Sequence, residues 1–361
     1  MGNSNLAKAK NSKNDEFYTQ YNDIEKEMNA YFEYNPNVFK NKTILCPCDD
    51  PEWSNFTKYF AQNFERFKLK KLISTSYAFT SKGCKGKYKV TIFERKNPKF
   101  DKKKVEIKGK HFTLNNDKTG DNIINIADLD YKYLEGDGDF RSEEVTKLMD
   151  EADIIITNPP FSLFREFLAW IMKANKQFVI IGNINAITYK EVFSLIKNNK
   201  MWLGNGFHAG NAYFSTPVGR EYASGVYDEK TGLVKFRNVC WFSNLDHGRR
   251  HKKLSLMTIK DNLKYNKKMT GKKSYDNYDN YDAIEVSFTN AIPKDYNGVM
   301  GVPVSFLDKY NPEQFQVLKC SAYSDPKSFG SGALYVNGKK QYARILIEPK
   351  KNKREKVMKE K

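Results

Sequence analysis

Cysteine is scarce, with five in 361 residues, and the odd number argues against a fully paired disulfide framework. No two cysteines stand in a CxxC spacing, and His111, His208, His247 and His251 form no ligand spacing with them, which argues against a structural zinc; no metal is expected. Cys46 and Cys48 are expected to be small buried residues in a reducing cytoplasm, while Cys84, Cys240 and Cys320 are scattered. No apolar run is long enough to span a bilayer, and the N-terminal MGNSNLAKAKNSK lacks an apolar signal segment, so a soluble, cytoplasmic protein without a membrane partner is expected. Acidic residues are in deficit, 43 against 61 Lys and Arg, a formal charge of +18. Such a field attracts polyanions, nucleic acid above all, although a lysine-rich host composition accounts for it as well.

Hydrophobic residues reach 40% and aromatics 14%, too rich for a disordered chain, and the length suits a catalytic domain plus a substrate-reading domain. Strand-like Thr43–Cys46, a turn bounded by Pro47 and Pro51, a helix capped by Ser54 with Phe56, Tyr59, Phe60, Phe64 and Phe67 at helical spacing, and strand-like Lys71–Tyr77 open a βαβ unit. A Lys-rich stretch, 81–122, interrupts with strand-like fragments at 88–94 and 104–114; a DNA-contacting arm and a solvated face both explain its charge. Alternation resumes with a strand at 153–157, a helix at 162–174, a strand at 177–182 and a helix at 188–197. Beyond about 201 it fades into glycines, aromatics and basic residues, with strands expected at 239–245 and 343–348 and a helix opening at Pro312 within 311–319. Residues 1–14 and 349–361 are expected to be loose.

Asn158-Pro159-Pro160-Phe161 stands directly after a strand and before a helix, where open α/β sheets bind ligands. Its residue types suit transfer to an exocyclic amine of adenine, whose lone pair is delocalised into the ring. The Asn158 side-chain oxygen and the Pro159 carbonyl can accept both N–H bonds and localise that lone pair, Pro160 stiffens the turn, and Phe161 can stack on a base taken out of the duplex. Displacement at a sulfonium methyl needs no strong base, so positioning and electrostatics carry such catalysis. A proline turn with Phe161 in the core is the plainer reading.

A bound adenosylmethionine needs close backbone approach at the first strand's end and a carboxylate for its ammonium. Cys48, Asp49 and Asp50 stand there, without the usual glycine-rich turn, and a solvated acidic turn remains an alternative. At Asp137-Gly138-Asp139-Phe140, a carboxylate could accept from the cofactor's adenine amine and Phe140 could stack on that ring, or the segment is an ordinary turn before a helix start at Glu143 and Glu144. The cluster Arg249, Arg250, Lys252 and Lys253 is a candidate for DNA phosphates, or a solvated turn.

Taken together, DEFYTQY (15–21), CPCDDPEWSNFTKYF (46–60), DGDFRSEE (137–144), TNPPFSLF (157–164), ITYKEVFSLIK (187–197), YDNYDAIEV (278–286), DYNGVMGVPVSFL (295–307), NPEQF (311–315) and ARILI (343–347) resemble the EcoRI-type adenine-specific DNA methyltransferase family over most of the chain. The resemblance implies a Rossmann-like S-adenosylmethionine-dependent methyltransferase sheet in 15–200, carrying the 81–122 insertion, and a C-terminal α+β target-recognition domain in 201–348. It implies site-specific adenine-N6 methylation of double-stranded DNA, with or without a cognate restriction endonuclease, by a chain expected to be monomeric. It assigns Asn158, Pro159 and Phe161 to the target adenine, Cys48, Asp49, Asp50, Asp139 and Phe140 to the cofactor, and Phe17 and Thr19 to closure over its methionine end. Segments 81–122 and 204–237 depart from the family's pattern, so the DNA sequence read is not carried over. The competing readings are an RNA adenine or protein glutamine methyltransferase and a DNA-binding protein without catalysis.

Overall fold

The computed structural model describes residues 17–51, 54–78, 98–207, 210–215 and 225–350. The fragment at 88–94, the loose residues 1–14, His208, Cys84 and the tail beyond 350 lie outside them. The chain divides into two compact units, Met1–Asn183 with Gly204–Asp246, and Ile184–Leu203 with His247–Lys361. The linear division at about 200 therefore differs from the contact pattern, because strands after 204 pack into the first unit.

In the first unit the elements are β1 (Tyr18–Thr19), α1 (Tyr21–Tyr34), β2 (Thr43–Cys46), α2 (Asn55–Gln62), β3 (Lys71–Ser76), β4 (Lys110–Leu114), β5 (Asp130–Tyr133), α3 (Glu143–Glu151), β6 (Ile154–Thr157), α4 (Phe164–Lys173) and β7 (Gln177–Asn183). They continue with β8 (Ala212–Ser215), β9 (Tyr227–Asp228), β10 (Leu233–Phe236) and β11 (Val239–Ser243). Seven of these strands lie side by side as β5-β4-β3-β2-β6-β7-β11. The inner four, β3, β2, β6 and β7, are parallel. β4, β5 and β11 join antiparallel at the flanks. Strands such as Ile154–Thr157 are buried along their whole length, as an apolar run in a parallel sheet should be.

The α2 helix forms because Ser54 accepts from Phe56 N, and Phe56, Tyr59 and Phe60 recur at helical spacing on its buried side. These rings share one core with Tyr31, Phe39, Phe67, Ile44, Ile154 and Trp241. Burying each large apolar side chain contributes roughly 1.5–3 kcal/mol before entropy is counted.

Two expectations are corrected. Residues 104–107 are not strand but belong to the helix Lys102–Ile107, because Asp101 caps it through Lys103 N and Lys104 N; only Lys110–Leu114 is strand, and it enters the main sheet. The helix expected from Pro312 is instead the strand Phe315–Cys320, where Phe315 and Val317 point inward and Gln316 outward with a period of two. In the second unit this strand belongs to a five-stranded sheet, in the order Asp276–Asn277, Ile284–Glu285, Met300–Pro303, Arg344–Pro349, Phe315–Cys320.

Candidate active site

The turn after β6 presents Asn158. Its Nδ2 donates to the carbonyl of Phe17 at 2.7 Å. That carbonyl can only accept, so the orientation of the amide follows from the bond. The other end, Oδ1, is buried and has no hydrogen-bond partner among the described residues. A buried unpaired acceptor costs about 1–3 kcal/mol unless something satisfies it. Thr157 Oγ1, one residue earlier, is tied to the Pro47 carbonyl at 2.5 Å, which locks this turn to the end of β2.

Phe17 is held in turn. β1 pairs antiparallel with β8, Tyr18 opposite Ser215 and Thr19 opposite Phe214, in a small sheet ordered β1-β8-β10-β9. Asn55, in the first turn of α2, donates through Nδ2 to the Thr19 carbonyl at 2.7 Å. Phe161 is half-buried among aromatic rings: Phe17 stacked at 6.5 Å, Phe236 edge-on at 5.7 Å and Phe214 edge-on at 6.2 Å. The structure thus brings Phe17, Thr19, Asn158 and Phe161 together, with Phe214 and Phe236 from the segment 204–237. The sequence carried no signal for those two beyond their aromatic character.

The turn after β2 explains the missing glycines. Cys48 adopts φ +62°, the left-handed conformation a glycine ordinarily fills. Asp49 and Asp50 do not face outward. The Asp49 carboxylate accepts from Thr57 N at 3.0 Å, Thr57 Oγ1 at 2.6 Å and the Ser54 hydroxyl, so it caps α2 from behind. Burial pushes its carboxyl up to about 7, against the lowering effect of the Thr57 hydrogen bonds. Asp50 forms an ion pair with Lys110 on β4 at 2.9 Å, with side chains 2% and 4% exposed. Both carboxylates brace the framework of the turn, which is where they were expected to meet the cofactor's ammonium. Lys110 was missed, because a lysine in a lysine-rich stretch reads as surface.

The DGDF turn is clamped against β3. Gly138 has φ +87°, and a Cβ there would stand 2.3 Å from the Ser76 carbonyl, so only glycine fits. Ala78 N donates to the Asp137 carbonyl at 2.7 Å. Burial raises the Asp139 carboxyl, but hydrogen bonds from Arg141 outweigh it and hold the group below its ordinary range. The Phe140 ring, expected to stack on the cofactor's adenine, is fully buried, edge-on to Phe167 at 4.9 Å and Trp170 at 5.5 Å. At the end of β3, Thr75 Oγ1 and Ser76 Oγ are buried and unpartnered among the described residues, as is Thr19 Oγ1. Neutral donors and acceptors left open at the carboxyl ends of parallel strands fit a polar, hydroxyl-bearing cofactor. Thr75 and Ser76 were missed because serine and threonine inside a strand carry no sequence signal.

Arg249 and Arg250, expected at DNA phosphates, lie in the second unit and have partners within it. Arg249 pairs with Asp308, its side chain 18% exposed. Arg250 lies 3.7 Å from the ring centroid of Trp202 and bonds to Asn199. Both are spent inside the unit, leaving Lys252 and Lys253 exposed.

The fold is mixed α/β, and the Cys48 and Asn158 turns follow the carboxyl ends of the neighbouring parallel strands β2 and β6. The chain belongs to the family described as adenine-specific methyltransferase EcoRI, which it matches over residues 5–360. It is 43% identical to Type II methyltransferase M.EcoRI of Escherichia coli, covering 98% of this chain and 97% of that protein. It is 33% identical to Type II methyltransferase M.MgeORF184P of Mycoplasma genitalium and 30% identical to Type II methyltransferase M.MpnI of Mycoplasma pneumoniae, over 94% and 96% of this chain and 97% and 98% of theirs. No solved structure matches. No helix among the described residues is long and apolar enough to cross a membrane.

Proposed function

We propose that the protein methylates N6 of adenine in duplex DNA from S-adenosylmethionine, at one short sequence, as the modification enzyme of a restriction–modification pair or as an orphan counterpart. The observation that carries this reading is the Asn158 amide: nitrogen pinned to Phe17, oxygen buried and unsatisfied. An adenine amine offers two N–H donors. Asn158 Oδ1 takes one and the Pro159 carbonyl the other, which draws the lone pair out of ring conjugation. Phe161 lies along the base, and Phe17 and Phe236 close the slot around it. The cofactor, when bound, supplies a methyl carbon made electrophilic by its sulfonium and a neutral thioether as leaving group. Thr75, Ser76, Thr19, the Cys48 turn and Asp139 are the residues that would hold it. The amine gives up its proton to water after the C–N bond has formed, so Asn158 and Pro159 need no basic strength, only fixed direction.

The four-stranded parallel centre with antiparallel flanks supports a Rossmann-like reading of the first unit. Catalysis is assigned to that unit, and reading of DNA to the second together with the strands after 204. The test is methyl transfer from labelled S-adenosylmethionine to unmethylated genomic DNA, followed by nucleoside mass spectrometry and methylation-aware sequencing. N6-methyladenine at one motif is expected. Methylated cytosine would overturn the target assignment, and label in transcripts or protein alone would overturn the duplex substrate.

A further inference from the structure

Lysine is concentrated in one stretch of the second unit. Thr258–Lys273 holds six lysines in sixteen residues, against 61 Lys and Arg in the whole chain of 361. Its one carboxylate, Asp261, accepts from the Thr258 hydroxyl at 2.7 Å. Lys264, Lys267 and Lys268 are exposed, and none forms an ion pair among the described residues.

Two of these ammonium groups sit over exposed rings. Lys264 Nζ lies 4.9 Å from the centroid of Tyr265, and Lys268 Nζ lies 5.3 Å from that of Phe288. Tyr265 is 63% exposed and Phe288 38%. The two segments are joined by a buried residue: Asn266 Nδ2 donates to the Asn290 carbonyl at 3.0 Å, and its Oδ1 accepts from Lys268 N at 3.0 Å. Tyr275 OH adds a bond to the Ala291 carbonyl at 2.6 Å. The lysines are therefore mounted on a fixed frame, and the rings hold the charges apart from one another.

We infer that this face, Lys264, Lys267 and Lys268 with Tyr265 and Phe288, is a docking surface for the sugar–phosphate backbone of duplex DNA. Unpaired lysines supply phosphate contacts, and exposed rings beside them pack on sugars, which a plain solvated lysine face does not need. It takes the place of the Arg249–Arg250 pair, which the fold consumes internally. The inference rests on the proposed DNA substrate.

The test compares three full-length proteins: wild type, Lys264→Gln/Lys268→Gln, and a charge-matched control, Lys339→Gln/Lys340→Gln, on an exposed two-stranded hairpin. Duplex dissociation constants are measured from about 50 to 200 mM salt. The Lys264/Lys268 variant should flatten the logarithmic salt slope by about two, near 0.9 per lost phosphate contact, while the control barely moves it. Phe288→Ala should weaken binding several-fold with the slope unchanged. An unfolding midpoint unchanged from wild type shows that each variant folds. Equal slopes in both double variants overturn the inference, since net charge alone would then carry the binding. If wild type itself ignores duplex DNA, the substrate reading fails and this surface with it.

Discussion

One buried ion-pair network in the second unit contrasts with the candidate site in the first. In the second, the buried Glu285 network is closed on itself: Glu285 accepts from Arg344 Nε and Nη2, at 2.7–3.1 Å, and from the Tyr278 hydroxyl. In the first, Lys110 and Asp50 are closed in the same way, but Asn158 Oδ1, Thr75 Oγ1, Ser76 Oγ and Thr19 Oγ1 are left open among the described residues. A satisfied network fixes structure. Open acceptors and donors at strand ends hold polarity in reserve for a ligand, which is why the chemistry is assigned to the first unit and the second is assigned to binding.

The sharpest way to break this comparison is to open the closed pairs. Lys110→Met and Arg344→Met each strand a buried carboxylate and should each cost about 3–5 kcal/mol in denaturant unfolding. If Lys110→Met cost nothing but weakened cofactor binding tenfold, Asp50 would be a ligand contact after all, and the contrast between closed and open groups would fall.

Next comes the open group itself. Asn158→Ala should lower kcat by roughly 10²–10³-fold, the size seen when one preorganised polar group is removed, with cofactor affinity and unfolding midpoint nearly unchanged. Asn55→Ala loosens the same arrangement two steps back, through Thr19 and Phe17. Loss of one hydrogen bond, about 1 kcal/mol, predicts a fall in kcat of about five-fold without a matching rise in KM. A purely structural Asn55 would move the unfolding midpoint and leave kcat alone.

The smallest effect is one of pH. Burial raises the Asp49 carboxyl to about 7 in the folded protein, above its ordinary value of 3.8. The folded state then holds the proton more tightly than the unfolded one. The stability due to this group is complete below pH 3.8, declines as pH rises, and is lost by about pH 7. Asp49→Asn should flatten the change of Tm between pH 5 and 8; an identical pH dependence in both proteins would mean that Asp49 stays ionised.

Where the sequence could be read, local periodicity carried the signal. The strands Thr43–Cys46, Lys71–Ser76 and Ile154–Thr157 stand where apolar runs placed them, and Ser54 caps the helix it was expected to cap. Residues 311–319 misled because Pro312 looks like a helix start, while the alternation of Phe315 and Val317 decides for strand. The site was legible in part for the same reason. Asn158-Pro159-Pro160-Phe161 is contiguous, so its place after a strand could be seen from the chain alone.

The sequence by itself determined the βα order, the place of Asn158-Pro159-Pro160-Phe161 after a strand, and the family, because each is written in neighbouring residues. Only the tertiary structure decided which groups are free. Asp49, Asp50, Phe140, Arg249 and Arg250 carry no sign of a partner in sequence, yet the fold sets them against Thr57, Lys110, Phe167, Asp308 and Trp202, 8 to 60 residues away. Desolvation and pairing are properties of what surrounds an atom, and a long-range neighbour leaves no mark on the residues beside it in the chain.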